Sequence, residues 1–332
     1  MTHVRVAAPV ALGLALTSCQ GCQSDPEKHE PAPLPVASTS ASSAVLPAPV
    51  EPGAPLKVII EQARQGGGRP YRAPSDAEQA EYSAWVTAVA TAAVTGELPA
   101  HAPPRGFSGR TAESGRYWLL AESDADKRGA GLLVLRLGHA RPFLIEAPHT
   151  FFDRGTLELA LLALDRLEAR ALLINTMPRS SKETAEDRAE EAQSLASPSD
   201  VAHTKVSFFS SAHSALSAVD PELVALQIHG FRDDRVGGAQ VVVSASDTRG
   251  NARAVTSALR AVLPPTGVLL FPDDVRDLGA TKNAQAALSR ASHSAFIHVE
   301  LSATLRAKLR EDPALAGRVL EALGAAAGGS AP

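Results

Sequence analysis

A histidine and an aspartate, His149 and Asp153, follow an apolar segment at residues 142–145 in the sequence PFLIEAPHTFFD. The segment has the length and composition of a buried strand, and Pro148 ends it just before the histidine. Imidazole and carboxylate groups are zinc ligands, and strand ends are where open α/β sheets carry their active sites. The pair therefore favours a metal site. The alternative is that His149 belongs to a loop and Asp153 only caps the following helix.

A third ligand of the same kind is His229, which follows the apolar run at residues 223–228. Gly230 comes next, and its missing side chain lets the backbone turn and leaves room beside the ring. A histidine in this position can equally be a core-edge residue hydrogen-bonded to a carbonyl group. A hydrolytic zinc needs about three protein ligands and one open position for water. His149, Asp153 and His229 supply that number, so the sequence predicts Zn²⁺ as the cofactor.

Glu300 is the predicted catalytic base. It lies in IHVEL, residues 297–301, whose alternation places Glu300 and His298 on one face and the apolar residues on the other. Buried carboxylates are rare without a partner or a function. Close to the predicted metal, Glu300 would take a proton from water that the metal has acidified.

Strands and helices that alternate along the chain are expected to position these residues. The predicted strands are residues 117–121, 131–137, 142–145, 171–175, 223–228, 240–244, 267–271 and 295–301. Helical patterns occupy residues 77–94, 156–169, 208–219, 251–262, 284–291 and 314–323. Alternation indicates parallel pairing, whereas the consecutive strands between residues 117 and 145 are expected to be antiparallel and to form one edge. The sequence thus predicts a single α/β domain with a mixed, mostly parallel sheet flanked by helices.

The first residues, MTHVRVAAPVALGLALTSC, place Arg5 before an apolar run at residues 6–16. This pattern is typical of a secretory signal peptide, and the run is shorter than the roughly 20 residues that cross a bilayer. Leu-Thr-Ser-Cys resembles a bacterial lipobox, which implies cleavage before Cys19 and a lipid on that cysteine; the alternative is an ordinary secretory signal. Gln20 favours the outer membrane. We therefore expect a lipoprotein anchored in the cell envelope.

Three regions follow from the composition along the chain. Residues 1–18 are the predicted signal peptide, residues 19–55 a disordered tether rich in Pro, Ala and Ser, and residues 56–327 the α/β domain. Within the domain, residues 177–204 are polar and without a clear period. A connection of that length is usually functional or disordered.

The composition excludes several classes of function. The 2 cysteines, Cys19 and Cys22, both lie in the leader, so the domain has no disulfide, thiolate zinc site or cysteine nucleophile. A net charge of −4 without a basic stripe argues against nucleic-acid binding. The motifs HExxH and GxSxG, a phosphate loop and a dinucleotide fingerprint are absent from the sequence. The expected partners are a small-molecule or peptide substrate and, through the lipid, a membrane; the sequence gives no oligomeric state.

The order and context of the candidate residues resemble the zinc carboxypeptidase superfamily, and within it N-formylglutamate amidohydrolases and related amidases. PHTFFD, QIHGF and FIHVEL stand in the order of that family's ligand pair, lone histidine and catalytic glutamate. The family pair is HxxE, whereas the residue three after His149 is Phe152, so Asp153 would bind from one residue later. The resemblance implies the carboxypeptidase-like fold and hydrolysis of an amide or peptide bond near a free carboxylate. N-acyl amino acids, γ-glutamyl chains and cell-wall peptides have such bonds.

Four further residues have supporting roles in this hypothesis. Arg179 lies between the first and third ligands, and the resemblance implies that it polarises a carbonyl or binds a carboxylate, for which a guanidinium is suited. Asn283 resembles a substrate-contacting asparagine before a helix, although an N-cap is an equal alternative. His203 and Arg232 are further substrate-binding candidates, with solvated loop residues as the alternative.

A second hypothesis is a non-catalytic envelope lipoprotein of the same fold that binds a small ligand or partner. The aromatic content of 4% leaves few stacking surfaces for carbohydrate, which argues against a sugar-binding module. Substitution of Glu300 separates the two hypotheses, because only an enzyme depends on a base.

Overall fold

The computed structural model describes residues 55–64, 71–97, 102–123, 127–179, 197–247 and 251–328. The predicted signal peptide, Cys19 and nearly all of the predicted tether lie outside these residues, as does the middle of the polar stretch 177–204. Among the described residues, no helix has the length and apolar content needed to cross a bilayer. The lipid anchor and the division into three regions therefore stay predictions.

The described chain forms one large mixed sheet. Its nine strands are β1 (Phe107–Ala112), β2 (Tyr117–Glu122), β3 (Leu132–Arg136), β4 (Arg141–Ala147), β5 (Ala169–Ile174), β6 (Val224–Phe231), β7 (Val241–Ala245), β8 (Val268–Leu270) and β9 (Ala295–Ser302). Their order across the sheet is β1-β2-β3-β5-β4-β6-β9-β7-β8. The central strands β5, β4, β6 and β9 pair in parallel, as do β7 and β8. The remaining pairings are antiparallel.

Helices cover both faces of this sheet. They are α1 (Leu56–Arg64), α2 (Asp76–Thr95), α3 (Thr156–Arg166), α4 (Phe208–Val219), α5 (Ala252–Val262), α6 (Ala284–Ser292), α7 (Ala303–Glu311) and α8 (Pro313–Ala327). One face packs against α1, α3, α5, α7 and α8, and the other against α2, α4 and α6. Successive strand residues such as Phe143, Leu144 and Ile145 are buried against opposite helix layers. The central strands are therefore continuous apolar segments in the sequence. The predicted α/β domain with a mixed sheet flanked by helices is confirmed.

Strand β4 corrects one prediction. It was expected at an antiparallel edge together with β2 and β3, but it lies in the middle of the sheet, parallel to β5 and β6. Phe143, Leu144 and Ile145 are fully buried on both faces, and a strand of that kind is stable where helices cover both sides. Strand β7 also differs from the expected parallel alternation, because it runs antiparallel to β9.

All eight predicted strands are present, and the elements that sequence patterns missed are short or polar. β1, FSGRTA, has exposed residues and no apolar period. α1 buries Leu56, Ile59 and Ile60, and the tether prediction ended just before it. α7 buries Leu305, Arg306 and Leu309 in an otherwise charged sequence.

The central parallel strands bring the candidate residues to one edge of the sheet. β6 and β9 are in register with His229 opposite Glu300. β4 and β6 are in register with Glu146 opposite Gln227, so the turn after Ala147 begins at the level of His229. The carboxyl ends of three neighbouring strands therefore meet there.

Candidate metal centre

Three buried side chains converge at this edge. His149 Nδ1 lies 3.7 Å from Asp153 Oδ2, and His229 Nδ1 lies 3.8 Å from the same oxygen. The two imidazole rings are 4.8 Å apart and nearly perpendicular. The exposed fractions are 3% for His149, 6% for Asp153 and 5% for His229. The three candidate ligands thus form one buried group whose ligand atoms all lie within 4.8 Å of one another.

A tight turn after β4 brings His149 and Asp153 together. The His149 carbonyl accepts hydrogen bonds from the Phe152 and Asp153 amides, both at 2.9 Å. The N-cap of α3 is Gly155, with no side-chain cap, so the Asp153 carboxylate does not cap that helix. Its Oδ2 instead accepts a hydrogen bond of 2.9 Å from the Gly230 amide in β6. The carboxylate is therefore fixed toward the neighbouring strand, where His229 lies.

The amide of Gln227 determines the tautomer of His229. Gln227 Nε2 donates to Glu146 Oε2 at 3.0 Å, so its Oε1 is the atom that lies 2.7 Å from His229 Nε2. Asn283 Nδ2 also donates to that oxygen, at 2.5 Å. An amide oxygen only accepts, so the neutral His229 carries its proton on Nε2. Burial and the neighbouring histidines hold the pKa of His229 well below its ordinary value, and Nδ1 presents a lone pair to Asp153.

Asp200 has the corresponding role for His149. Its Oδ1 lies 2.9 Å from His149 Nε2, and its Oδ2 lies 3.1 Å from His203 Nδ1. Burial alone would raise the pKa of Asp200, but hydrogen bonds from both histidines hold it well below its usual range. An ionised carboxylate accepts the His149 Nε2 proton, which leaves Nδ1 free to face Asp153. Carboxylate partners of this kind orient metal-ligating histidines.

The three converging atoms fit a cation. Two imidazole lone pairs and a carboxylate oxygen are all acceptors, and separations of 3.7 and 3.8 Å are too long for hydrogen bonds between them. Burial raises the pKa of Asp153 above its ordinary value, because the ionised carboxylate is taken out of water. A divalent cation would satisfy all three atoms, and nitrogen and oxygen donors suit zinc as well as several other divalent metals.

Glu300 lies beside this group with an unused oxygen. Its Oε2 is buried and has no hydrogen-bond partner among the described residues, and its Oε1 lies 3.7 Å from His298 Nε2. Burial, reinforced by the negative charge of Asp153, raises the pKa of Glu300 to about 8. The His298 ring lies 4.6 Å from that of His229, and burial lowers the pKa of His298 to about 3. In the metal-free protein, His298 is therefore neutral, and the neighbouring Glu300 carboxyl binds a proton more readily than an exposed carboxyl.

A cleft of about 1030 Å³ opens onto these residues. Arg179 lines it, with its guanidinium 5.2 Å from the Phe152 ring centre. Arg232 also lines the cleft but is exposed and paired with Asp234. His203 also lines the cleft and pairs with Asp200. The predicted catalytic residue Arg179 and the predicted substrate-binding residues His203 and Arg232 therefore line a space large enough for a small substrate.

Asn283 lines the cleft, but both ends of its amide are used within the protein. Its Oδ1 accepts from the Ala286 amide at 2.9 Å as the N-cap of α6, and its Nδ2 donates to Gln227. The helix-capping alternative is thus the one that the structure shows. Asn283 supports the Gln227 amide that positions His229.

Gly230 corrects a local prediction. It lies inside β6 and makes no chain turn. A Cβ at this position would overlap the guanidinium of Arg306, so the space that the glycine leaves is occupied by Arg306. Sequence reasoning missed Arg306, Asp200 and Gln227. Arg306 and Asp200 neither follow an apolar run nor belong to a short motif, and Gln227 lies inside the run before His229 without a chemical signal of its own.

Neither a protein-family model nor a curated protein matches the chain. Among solved structures, N-formylglutamate amidohydrolase from Ralstonia eutropha JMP134 is 14% identical, with 58% of this chain and 96% of that chain covered and a TM-score of 0.36. A metallo-carboxypeptidase from Burkholderia cenocepacia is 14% identical, with 77% and 70% covered and a TM-score of 0.36. An aspartoacylase family protein from Mesorhizobium loti is 13% identical, with 58% and 61% covered and a TM-score of 0.33. The chemistry of the site rests on the geometry of its own side chains.

Proposed function

We propose that this protein is a metal-dependent hydrolase that cleaves an amide or peptide bond close to a free carboxylate. The observation that carries the proposal is the convergence of His149 Nδ1, Asp153 Oδ2 and His229 Nδ1 next to Glu300 Oε2, which has no hydrogen-bond partner in the described part of the chain. Three protein ligands beside a carboxyl base are what hydrolytic zinc sites contain. Zn²⁺ is the proposed cation.

His149, Asp153 and His229 would hold the cation through one atom each. When bound, it supplies Lewis acidity, which acidifies water and polarises a carbonyl group. Glu300 accepts the proton of the attacking water at Oε2 and returns it to the leaving amine. In the metal-free protein, burial and the charge of Asp153 raise the pKa of Glu300 above its ordinary value, which makes this carboxylate a stronger base than an exposed one.

Arg179 is the proposed group for negative charge on the substrate. Its guanidinium lies at the cleft, where it acts electrostatically on Asp153 and Glu300. A guanidinium can hold a carboxylate through two parallel hydrogen bonds or stabilise a developing oxyanion. A carboxylate-binding arginine supports substrates with a free carboxylate, such as N-acyl amino acids, γ-glutamyl chains and cell-wall peptides. His203 and Arg232 would contact the remainder of the substrate.

We further propose that a lipid on Cys19 holds the enzyme at the cell envelope, in the outer membrane. The support is the leader sequence, in which a signal-peptide pattern ends at Leu-Thr-Ser-Cys. Metabolic labelling with a radioactive fatty acid tests this. Label in the native protein and none after Cys19→Ser is the expected result, and equal label in both contradicts it.

The metal content of the purified protein tests the proposed function. Plasma mass spectrometry of the native protein should give close to one zinc per chain, with little zinc in His149→Ala and His229→Ala. His139, an exposed histidine, is the matched control, and His139→Ala should keep the metal. The zinc-loaded protein is then assayed on N-acyl amino acids and γ-glutamyl peptides.

Three results would contradict the proposal. A folded native protein that takes up no zinc when it is offered has no metal centre. Zinc retained in both histidine variants places the metal elsewhere. Zinc without hydrolysis of any such substrate favours the non-catalytic binding protein.

A further inference from the structure

Arg306 on α7 is a buried arginine that lines the cleft. Its Nε donates to the Arg154 carbonyl at 2.8 Å. Its Nη1 donates to the Phe231 carbonyl at 3.3 Å and to the Leu301 carbonyl. One guanidinium therefore binds backbone oxygens on three separate chain segments.

Each of these segments carries a residue of the candidate site. Arg154 directly follows Asp153, and Leu301 directly follows Glu300. Phe231 is two residues after His229. The carbonyl groups that Arg306 binds are thus one or two residues away from two candidate ligands and the candidate base.

The chain leaves space for this guanidinium at Gly230. A Cβ there would overlap the Nη1, Cζ and Nε atoms of Arg306. Gly230 is in an ordinary strand conformation inside β6, so no positive φ explains the glycine. Its amide also donates to Asp153 Oδ2, which ties the same residue to the ligand group.

From these contacts we propose that Arg306 is a positioning residue that fixes the ligand-bearing segments relative to one another, and that Gly230 is glycine to admit it. The proposal rests on the proposed function in taking Asp153, His229 and Glu300 as parts of a metal site. A planar guanidinium can donate in several fixed directions at once. Lysine has a point charge on a flexible chain and cannot span the same three carbonyl groups.

The first experiment measures melting temperatures of the metal-free protein in a double-mutant cycle of Gly230→Ala and Arg306→Ala. In the native background Gly230→Ala should lower the melting temperature, because the new methyl group displaces the guanidinium. In the Arg306→Ala background the same change should have little further effect, since the obstacle is gone. Gly237→Ala is the control, because a Cβ at Gly237 has no atom of the described residues within 4 Å, and it should be additive with Arg306→Ala.

The second experiment measures zinc affinity by competition with a chromophoric chelator, at a temperature where each variant is folded by circular dichroism. Arg306→Met should weaken zinc binding at least about tenfold, as loss of supporting residues does at metal sites. The zinc affinity of Arg306→Lys should lie between that of the native protein and that of Arg306→Met. Arg310 is exposed on the same helix, and Arg310→Met should bind zinc like the native protein. A residue that only stabilised the fold would leave affinity unchanged in folded protein.

The outcomes separate the two proposals. If the native protein binds no zinc, the proposed function fails, and the melting-temperature cycle still decides whether Arg306 and Gly230 are coupled. Equal losses from Gly230→Ala in both backgrounds overturn the coupling. Native zinc affinity in folded Arg306→Met overturns the positioning role even if the protein is a zinc hydrolase.

Discussion

Gln227 Oε1 lies 2.7 Å from His229 Nε2, and this hydrogen bond decides which nitrogen of His229 faces Asp153. The Gln227 amide is itself fixed, because its Nε2 donates to Glu146 and its Oε1 accepts from Asn283. A buried polar network therefore sets the tautomer of a candidate ligand. Networks in which each member is satisfied specify one arrangement of their side chains.

Gln227→Leu should weaken zinc binding roughly 10- to 100-fold, because His229 loses the acceptor that holds its ring. The metal-free protein should also lose about 1–3 kcal/mol of stability, since buried donors are left unpaired. Chelator competition and denaturant unfolding measure the two effects. Gln285 also bonds to Gln227, and among the described residues its other hydrogen bonds go to Val201 and Ser210 and not to His229, so Gln285→Leu should reduce stability and change affinity much less. Equal losses of affinity would contradict a tautomer role for Gln227.

Asp200→Ala should weaken zinc binding by a similar factor of about 10 to 100. The variant frees His149 Nε2, so that the ring can rotate or change tautomer and Nδ1 no longer faces Asp153. Isothermal titration with zinc measures the loss. Asp234 is an exposed acid in the same cleft, and Asp234→Ala should bind zinc normally. Comparable losses in both variants would show a general effect of cleft charge instead of a specific one on His149.

The residues that could be predicted from the sequence are those that end apolar runs. His149 and His229 follow buried strands, and Glu300 interrupts one, so a pattern of burial leads to each of them. Asp200 could not be found in this way, because it lies in a polar stretch without a clear period, and its role depends on its contacts with His149 and His203. Gln227 looks like an ordinary polar residue in a strand, and its role appears only when the partners on both sides are known.

The fold likewise has features that local sequence predicts and features that depend on long-range contacts. Strand and helix positions follow from local apolar patterns, which is why the eight predicted strands are present. Strand order is a property of long-range pairing, and adjacency in sequence wrongly placed β4 beside β3. The unbroken apolar run Phe143, Leu144 and Ile145, which the structure buries on both faces, was the sequence signal for a central strand.

Zinc should stabilise the native protein against heat. At a free zinc concentration 100 times the dissociation constant, mass action adds about 2.7 kcal/mol, which corresponds to a rise in melting temperature of roughly 5–10 °C for a domain of this size. Differential scanning fluorimetry with and without a chelator measures the shift. His229→Ala should show no rise, and His139→Ala should keep it. A rise in His229→Ala as large as the native one would place the stabilising zinc at another site.

Glu78, which lies far from the cleft, should contribute to the stability of the fold in a pH-dependent way. It forms a capping box with Ser75 at the start of α2 and an ion pair with Arg128 at 2.7 Å. The Ser75 amide and the Arg128 side chain lower the pKa of Glu78 to about 2, despite some opposing burial. The ionised carboxylate therefore stabilises the folded state. That stability is complete above the unfolded pKa of 4.5 and is lost as pH falls toward 2.

Glu78→Gln should accordingly cost about 0.5–1 kcal/mol at pH 7, because glutamine can still accept from the Ser75 amide but loses the charge that pairs with Arg128 and favours the helix N-terminus. The difference from the native protein should shrink as the pH falls through the window from 4.5 toward 2. Urea unfolding over a pH series measures it. Glu81 is exposed on the same helix, and Glu81→Gln should change stability little. A Glu78→Gln difference that stays constant down to pH 2 would contradict an ionised Glu78 in the fold.

Glu300→Gln separates a catalytic base from a metal ligand. The amide keeps the shape of the side chain but cannot accept a proton at the unpartnered Oε2 position, so hydrolysis should fall by a factor on the order of 10²–10⁴. Zinc content should remain near that of the native protein, because His149, Asp153 and His229 are unchanged. Steady-state kinetics and plasma mass spectrometry measure the two properties on the same samples, and Glu311→Gln on the exposed end of α7 is the control. Unchanged hydrolysis would remove Glu300 as the base, whereas loss of zinc together with activity would make it a ligand and leave the identity of the base open to His298.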